Sequence, residues 1–300
     1  MLFSGSSHEG LAKQVANILG IQLGEVEIEG FPDGEIGIRI LETVRGKDVF
    51  IIQSPARRPN HFLMELLVMV DALKRASARS IVAILPYYPY ARQDRKERGR
   101  VPITAKLVAD LLEKAGVTRL LTMDLHTDQI EGFFNIPVDH LRARPLLVRA
   151  LQNLQLKNPA VVAPDVGNSR MARKYAEDLQ ADLAIIDKRR VNAKTVAFNA
   201  LIGDVADKQV ILVDDICSTG GTLMAAAEVC RRQGASEVIA AVTHGLWAGN
   251  AFPSGFDRFL VTDSIPLLNS NVDCVSIASY IAEAIQCIVS MKSISSLFKT

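Results

Sequence analysis

The sequence lacks an excess of charge of either sign, and it lacks any recognisable cysteine pattern. Its 34 Lys and Arg residues nearly balance 33 Asp and Glu residues, leaving a net charge of +1. A protein that binds nucleic acid non-specifically usually carries a clustered basic surface, so nucleic acid is not an expected partner. The four cysteines are spaced widely and irregularly, which matches neither a zinc site nor a disulfide framework. We therefore expect reduced thiols.

Signals for secretion and membrane insertion are also missing from the sequence. The first ten residues, MLFSGSSHEG, contain no basic segment followed by a long apolar one. No uninterrupted apolar run approaches the ~20 residues that a membrane-spanning helix needs. We therefore expect a cytoplasmic protein without a membrane partner. A hydrophobic fraction of 49% is ample for buried cores, and a length of 300 residues favours two domains.

Strand-like and helix-like segments alternate along the whole chain. Apolar runs typical of buried strands occur at Val49–Ile52, Ile81–Leu85, Leu120–Met123, Val161–Ala163 and Val210–Val213. Helical periodicity occurs at Gly10–Leu19, Phe62–Ala76, Ile103–Ala115 and Thr222–Gln233. This alternation predicts an α/β protein whose mainly parallel sheets are flanked by helices.

The two halves of the chain resemble each other. KDVFIIQS, which starts at Lys47, aligns with KQVILVDD, which starts at Lys208, and a short loop, a helix, a turn and another apolar strand follow each segment. We interpret this similarity as a duplication, with an N-terminal domain at residues 1–143 and a C-terminal domain at residues 144–300. The loop at residues 53–60 of the first copy shares nothing with the corresponding loop of the second.

The second copy carries the strongest functional motif, VILVDDICSTGGT, an apolar strand followed by two carboxylates and a turn of small residues that opens a helix. Gly220 and Gly221 permit positive φ angles and close backbone approach, so successive N–H groups can surround an anion. Hydroxyl groups and the positive end of the helix dipole add to this preference. Asp214 and Asp215 end a parallel strand, where open α/β sheets bind ligands, and they can accept hydrogen bonds from ribose hydroxyls or bind hydrated magnesium.

This loop resembles the ribose-phosphate loop of the type I phosphoribosyltransferase fold, and it matches neither a Walker A loop nor a GxGxxG fingerprint. Further motifs extend the resemblance to the ribose-phosphate pyrophosphokinase (PRPP synthetase) family over essentially the whole chain. They are FSGS at Phe3, FPDGE at Phe31, RQDR at Arg92, VPITAK at Val101, MDLH at Met123, GFF at Gly132, APDVG at Ala163, DKRR at Asp187 and the final SSLF.

The resemblance implies two tandem type I phosphoribosyltransferase-like domains and an enzyme of nucleotide biosynthesis that transfers diphosphate from MgATP to ribose 5-phosphate. The ATP-binding residues of the family fall on Phe31, Asp33, Glu35, Arg92 and Gln93. The residues that bind Mg²⁺ fall on His126 and Asp165, and the catalytic pair on a mobile flap falls on Lys188 and Arg190. The ribose 5-phosphate site falls on Arg190, Asp214, Asp215, Ser218, Thr219, Gly220, Gly221 and Thr222.

In the family, the FPDGE loop reaches the active site of a neighbouring subunit. The resemblance therefore implies a homo-oligomer, a hexamer built from dimers, whose adenine site is shared between subunits.

Three segments depart from the family pattern. Ser218 stands where most members carry aspartate, the residues at 191–194 lack the usual proline-rich continuation, and TDSIP at Thr262 replaces the usual TNTIP. None of these changes removes a residue that the resemblance makes catalytic.

Three alternatives share this fold. A phosphoribosyltransferase that consumes PRPP would leave FPDGE, RQDR and MDLH unexplained. A non-catalytic regulatory partner would typically have lost or interrupted the flap and loop residues, which are intact here. A ligand-sensing transcription regulator would need a DNA-binding module, and the sequence contains no helix-turn-helix pattern or basic stripe.

Overall fold

A computed structural model describes residues 1–190, 196–248, 254–268, 271–294 and 297, with the side chains of residues 188–190 and 196–199 outside this description. The described chain divides into two compact units. The first unit comprises Met1–Arg142, Ser264–Pro266 and Ser276–Thr300, and the second comprises Ala143–Asp263 and Leu267–Val275. In the described parts of the chain, no helix is long and apolar enough to cross a membrane.

The elements of the first unit are, in chain order, β1 (Leu2–Ser4), α1 (Glu9–Leu19), β2 (Val26–Gly30), β3 (Ile36–Ile40), β4 (Asp48–Ile52), α2 (Pro59–Arg75), β5 (Ser80–Leu85), α3 (Thr104–Ala115), β6 (Arg119–Met123) and β7 (Val138–Leu141). The second unit continues with α4 (Arg144–Gln152), β8 (Pro159–Ala163), α5 (Ser169–Leu179), β9 (Asp182–Arg190), β10 (Val196–Ile202), β11 (Gln209–Cys217), α6 (Gly221–Arg232), β12 (Glu237–Gly245), β13 (Arg258–Thr262) and β14 (Asp273–Val275). Helix α7 (Ala278–Val289) returns to the first unit.

The first unit is built on a parallel five-stranded sheet in the order β1-β4-β5-β6-β7, and β2 and β3 form a separate antiparallel hairpin. Val49 and Ile51 of β4 lie in one apolar cluster with Leu66 of α2 and Leu112 of α3. Each of these side chains is essentially buried, which contributes about 1.5–3 kcal/mol per residue. Helices α1 and α7 pack against each other.

The second unit contains a seven-stranded sheet in the order β10-β9-β8-β11-β12-β13-β14. All neighbouring strands are parallel except β9 and β10, which form an antiparallel pair. Val210 and Leu212 of β11 pack with Leu223 and Ala226 of α6 in its core. The predicted strand at Val210–Val213 is therefore confirmed, although it continues to Cys217.

The two units share one strand order, which supports the predicted duplication. The sequence β1-β4-β5-β6-β7 in the first sheet corresponds to β8-β11-β12-β13-β14 in the second. The antiparallel pair β2–β3 likewise corresponds to β9–β10, at the same place along the chain. The predicted domain limits remain a prediction, and the described α7 belongs to the first unit although the sequence assigned it to the second domain.

Candidate active site

Strand β11 extends beyond its neighbour β8 at its carboxyl end. Its pairing with β8 stops at Leu212, whereas its pairing with β12 continues to Cys217. Among the described residues, the end of β11 that carries Asp214 and Asp215 is thus paired with β12 but no longer with β8. This arrangement places both carboxylates at the edge of the sheet where ligands bind in parallel α/β proteins.

Two neighbouring carboxylates, Asp215 and Asp165, act on the carboxyl group of Asp214 at this edge. Asp215 is buried and Asp214 is partly buried. Burial raises the pKa of the Asp214 carboxyl well above its usual range, and the charges of Asp215 and Asp165 raise it further. A bound cation, or hydroxyl groups that donate hydrogen bonds, would relieve this repulsion.

Asn168 connects two of these carboxylates. Its side-chain Nδ2 donates to Oδ1 of Asp214 at 2.9 Å, and its backbone N–H donates to Oδ1 of Asp165 at 3.1 Å. The short 3-10 turn at Val166–Asn168 brings this about, because it directs the chain back over Asp165 before α5 begins. The sequence interpretation stopped at APDVG and missed Asn168, although it directly follows that motif on the same turn.

The predicted phosphate loop forms the beginning of α6. Gly220 is the N-cap with a φ of +79°, while Gly221 is the first residue of the helix. Of the two glycines, only Gly220 therefore adopts the positive φ that glycine permits. A Cβ on Gly221 would meet its nearest neighbour, Thr219 Oγ1, at an ordinary 3.7 Å, so packing within the chain does not require glycine there.

The hydroxyl residues of this loop are accessible to a ligand. Thr219 is exposed, Ser218 and Thr222 are partly exposed, and the carbonyl oxygen of Ser218 accepts the N–H of Ala248 at 2.8 Å. Burial and the nearby Asp214 charge raise the pKa of the Cys217 thiol to about 12, which disfavours the nucleophilic thiolate form.

The backbone of Lys188 and Arg190 lies in β9, which pairs with β8 on one side and with β10 on the other. The side chains of both residues lie outside the described part of the chain, as do the residues at 191–194. The predicted catalytic roles of Lys188 and Arg190 therefore remain predictions.

The residues predicted to bind adenine lie in the turn of the β2–β3 hairpin. Phe31 N–H donates to the Glu35 carbonyl at 2.9 Å, and Glu35 N–H donates to Asp33 Oδ1 at 3.1 Å. Gly34 completes the turn with a φ of +92°. Phe31 is 46% exposed, so its side chain is accessible to a ligand.

The other two predicted ATP residues lie in a loop that is anchored to α3. Arg92 and Gln93 are exposed. The Gln93 carbonyl accepts the N–H of Ala105, and its side-chain oxygen accepts the hydroxyl of Thr104 at 2.6 Å. The first turn of α3 thereby holds this loop in place.

His126 is exposed in the loop that follows β6. Asp124, two residues earlier, has a φ of +36°, which is uncommon for a residue other than glycine. The N–H of Leu125 donates to Nε2 of His140 at 2.8 Å, and Nδ1 of His140 lies 2.5 Å from Glu131 Oε1. His126 belongs to the first unit and Asp165 to the second.

A second group of possible metal ligands consists of Asp128, Glu131 and His140, whose donor atoms lie within 4.8 Å of one another. Both ring nitrogens of His140 are already engaged, because Nε2 accepts the Leu125 N–H and Nδ1 faces Glu131. Arg142 also donates to Asp128 at 2.8 Å. These contacts explain the group without a metal ion.

Comparisons with known proteins agree across the whole chain. A family model described as the N-terminal domain of ribose phosphate pyrophosphokinase matches residues 1–116, and one described as a phosphoribosyl transferase domain matches residues 138–272. Ribose-phosphate pyrophosphokinases from Marinomonas sp. and Bacillus caldolyticus are each 48% identical to this chain, covering 99% of it and 98% and 97% of their own lengths.

A solved structure gives the same result. The crystal structure of phosphoribosylpyrophosphate synthetase from Mycobacterium smegmatis superposes with a TM-score of 0.90 at 42% identity, covering 97% of this chain and 98% of that one. The chain therefore belongs to the ribose-phosphate pyrophosphokinase family.

Proposed function

We propose that this chain is a ribose-phosphate diphosphokinase that acts in nucleotide biosynthesis. It transfers the diphosphate group of MgATP to the 1-hydroxyl of ribose 5-phosphate and produces PRPP and AMP. Family membership over the full length supports this activity. The structural observation that carries it is the pair of carboxylates near the end of β11, where β11 is no longer paired with β8, a few residues before the glycine-containing start of α6.

The second unit would bind ribose 5-phosphate. The N–H groups in the first turn of α6 suit the 5-phosphate, because a helix N-terminus combines donors that have no partner within the helix with a positive dipole end. Glycine at position 221 leaves room for a phosphate to approach the backbone. Asp214 and Asp215 lie a few residues earlier and would accept hydrogen bonds from the ribose hydroxyls. Ser218, Thr219 and Thr222 would donate their hydroxyls to the phosphate, and Arg190 would add a positive charge.

The first unit would bind ATP. Adenine would stack on the exposed ring of Phe31, and Asp33 and Glu35 would bind its polar edge. Arg92 carries a guanidinium that suits triphosphate oxygens, and Gln93 would contribute a neutral hydrogen bond. Because the hairpin presents Phe31 to solvent, we also propose that it completes the site of a second copy in a homo-oligomer, for which the family expectation is a hexamer built from dimers.

The carboxylates fit magnesium. Mg²⁺ prefers hard oxygen ligands, keeps several waters and is usually bound through one or two carboxylates and substrate phosphates. Asp165 offers such an oxygen beside two further carboxylates, and we assign His126 to the same function through water or a phosphate. When bound, the ion neutralises phosphate charge and orients the triphosphate. The composition and the enzyme class also lead us to infer a cytoplasmic location.

The reaction itself needs little covalent chemistry from the protein. The ribose 1-oxygen forms a bond to the β-phosphorus, the bond from that phosphorus to the oxygen bridging to the α-phosphate breaks, and AMP leaves with that oxygen. The hydroxyl proton passes to solvent. Lys188 and Arg190 would stabilise the charge that develops on the bridging and non-bridging oxygens, the main source of catalysis in phosphoryl-type transfer.

The decisive test incubates the purified protein with MgATP and ribose 5-phosphate and measures AMP and PRPP by chromatography. Wild type should form the two products in equal amounts, and Lys188→Ala should abolish both. Lys157→Ala, which changes an exposed lysine of the same unit, is the matched control and should leave the rate unchanged. A wild-type protein that binds ribose 5-phosphate without consuming ATP would overturn the proposal in favour of a regulatory partner or a phosphoribosyltransferase.

A further inference from the structure

Asn168 occupies the N-cap position of α5 without capping that helix. Asparagine is among the preferred N-cap residues because its side-chain oxygen accepts a backbone N–H of the first turn, which stabilises a helix by about 1 kcal/mol. The Asn168 side chain makes no such bond. Its amide is directed instead to Asp214, to which it donates at 2.9 Å. The local preference of this side chain is thus overridden by a contact to the carboxylate cluster.

The contact acts on one particular oxygen. Oδ1 of Asp214 accepts both the Asn168 amide and, at 3.0 Å, the backbone N–H of Asp215. Two donors on the same oxygen determine the orientation of a carboxylate about its last bond, which is otherwise a broad and soft torsion. We assign the other oxygen, Oδ2, to the ribose hydroxyls.

Asp214 needs such support because of its place in the sheet. The pairing of β11 with β8 on this side ends at Leu212, so β8 does not pair with β11 beside the carboxylate. The turn at Val166–Asn168 supplies a contact to this part of β11 through the Asn168 side chain. A neutral amide is suited to this position, since it donates a hydrogen bond without cancelling the charge needed for substrate and metal.

We propose that Asn168 is a positioning residue of the ribose subsite. Its side chain orients Asp214 to accept the ribose hydroxyls, while its backbone N–H holds Asp165 at 3.1 Å, so that one residue sets the separation of the proposed ribose and magnesium carboxylates. This inference rests on the proposed function and adds a residue to it. It predicts that replacing the Asn168 side chain weakens the binding of ribose 5-phosphate and leaves the binding of adenine unchanged.

Asn168→Ser is the most informative variant. Serine is as well suited as asparagine to an N-cap position and carries no charge, but it is too short to reach Asp214, so the contact is lost without making the start of α5 less favourable. We expect the Kd for ribose 5-phosphate, measured by calorimetry without ATP, to rise about tenfold. A change of this size corresponds to the loss of one hydrogen bond to a charged group. The KM for ribose 5-phosphate should rise in parallel, while the KM for ATP and the Tm should stay near wild type.

Two further variants complete the test. Asn168→Asp keeps the shape of the side chain and its suitability for an N-cap, but it removes the hydrogen-bond donor and adds a fourth carboxylate. It should therefore weaken the binding of ribose 5-phosphate more than Asn168→Ser does. Asn153→Ser, at the C-cap of α4 in the same unit, is the control and should change neither constant. If Asn168→Ser is poorly folded by circular dichroism, Asn168→Gly replaces it, because glycine at an N-cap costs only a few tenths of a kcal/mol.

The outcomes separate this inference from the proposed function. Unchanged ribose 5-phosphate binding in folded Asn168→Ser or Asn168→Gly shows a purely structural residue and overturns the inference. Equal increases in both KM values would do the same, since they indicate a general distortion. A wild type that makes no PRPP but binds ribose 5-phosphate, with weaker binding by Asn168→Ser, refutes the activity and supports the inference. A wild type that binds no ribose 5-phosphate refutes both.

Discussion

The backbone N–H of Leu125 donates to Nε2 of His140 at 2.8 Å, immediately before the exposed His126. Nε2 is therefore the acceptor of the ring, and Nδ1 carries the proton that is directed to Glu131 at 2.5 Å. Asp124 stands just ahead with a positive φ of 36°. A buried histidine on β7 thus holds in place an unusual backbone turn that carries a proposed magnesium-binding residue.

Replacing His140 with Phe should destabilise the protein. The buried Leu125 N–H would lose its acceptor, and an unsatisfied buried donor costs about 1–3 kcal/mol. Urea denaturation followed by circular dichroism would measure the change in the free energy of unfolding. Glu131→Gln should cost less, because the glutamine oxygen can still accept the Nδ1 proton. If His140→Phe is as stable as wild type, this contact does not hold the loop.

The same histidine should make stability depend on pH. Burial and the neighbouring Arg142 lower the pKa of His140 below its usual 6.5, against the opposing influence of Glu131 and Asp124. The unfolded chain therefore takes up a proton at a higher pH than the folded one, and stability falls as the pH drops below 6.5 towards the lower folded pKa.

Urea denaturation of wild type and His140→Gln at pH 8 and at lower pH values would check this prediction. The difference in unfolding free energy between the two proteins should be constant above pH 7 and should shrink as the medium becomes more acidic than the usual 6.5. A difference that grows at acidic pH would mean that the pKa of His140 is raised.

Asp214→Asn should weaken the binding of ribose 5-phosphate without lowering the stability of the protein. Burial and the charges of Asp215 and Asp165 raise the pKa of Asp214, so a neutral isostere should leave the folded protein equally or more stable. Ribose hydroxyls would lose a charged acceptor, and the KM for ribose 5-phosphate should rise about 10- to 100-fold. Thermal melting and steady-state kinetics measure both effects, with Asp207→Asn, on an exposed loop, as the control. A lower Tm together with unchanged KM would contradict the assignment.

Phe31→Ala should weaken the binding of ATP and leave the binding of ribose 5-phosphate unaffected. A base stacked on an aromatic ring gains about 1–3 kcal/mol, so we expect the KM for ATP to rise at least about tenfold. Because Phe31 is 46% exposed, the Tm should hardly change. Ile18→Ala removes another exposed apolar side chain, on α1, and should alter neither KM. An unchanged KM for ATP would show that Phe31 does not contact adenine.

Much of the fold follows from patterns that extend only a few residues. The apolar run at Ile81–Leu85 predicts β5 because four or five consecutive buried residues suit a strand covered on both faces. The periodicity at Ile103–Ala115 predicts α3 to within one residue. The glycine pair before Thr222 predicts the start of α6, since Gly220 has the positive φ of the turn.

Other features depend on residues that are distant in the sequence. Glu65 of α2 is 1% exposed, and its carboxylate accepts hydrogen bonds from Ser6 N–H at 2.7 Å and from Gln53 Nε2 at 2.8 Å. Nothing in the local sequence of α2 distinguishes this glutamate from an exposed one. Its burial is stable only because β1 and β4 end side by side and supply the donors.

The sequence by itself determined the order of strands and helices, the carboxylates before a glycine-containing turn and the membership of a family, because each of these is encoded in contiguous residues. The tertiary structure alone decided that β11 extends beyond its pairing with β8, that the Asn168 side chain donates to Asp214 instead of capping α5, and that His140 supports the loop before His126. These contacts join residues 46 and 15 positions apart. Their geometry depends on how strands of unequal length lie in the sheet, which no local pattern specifies.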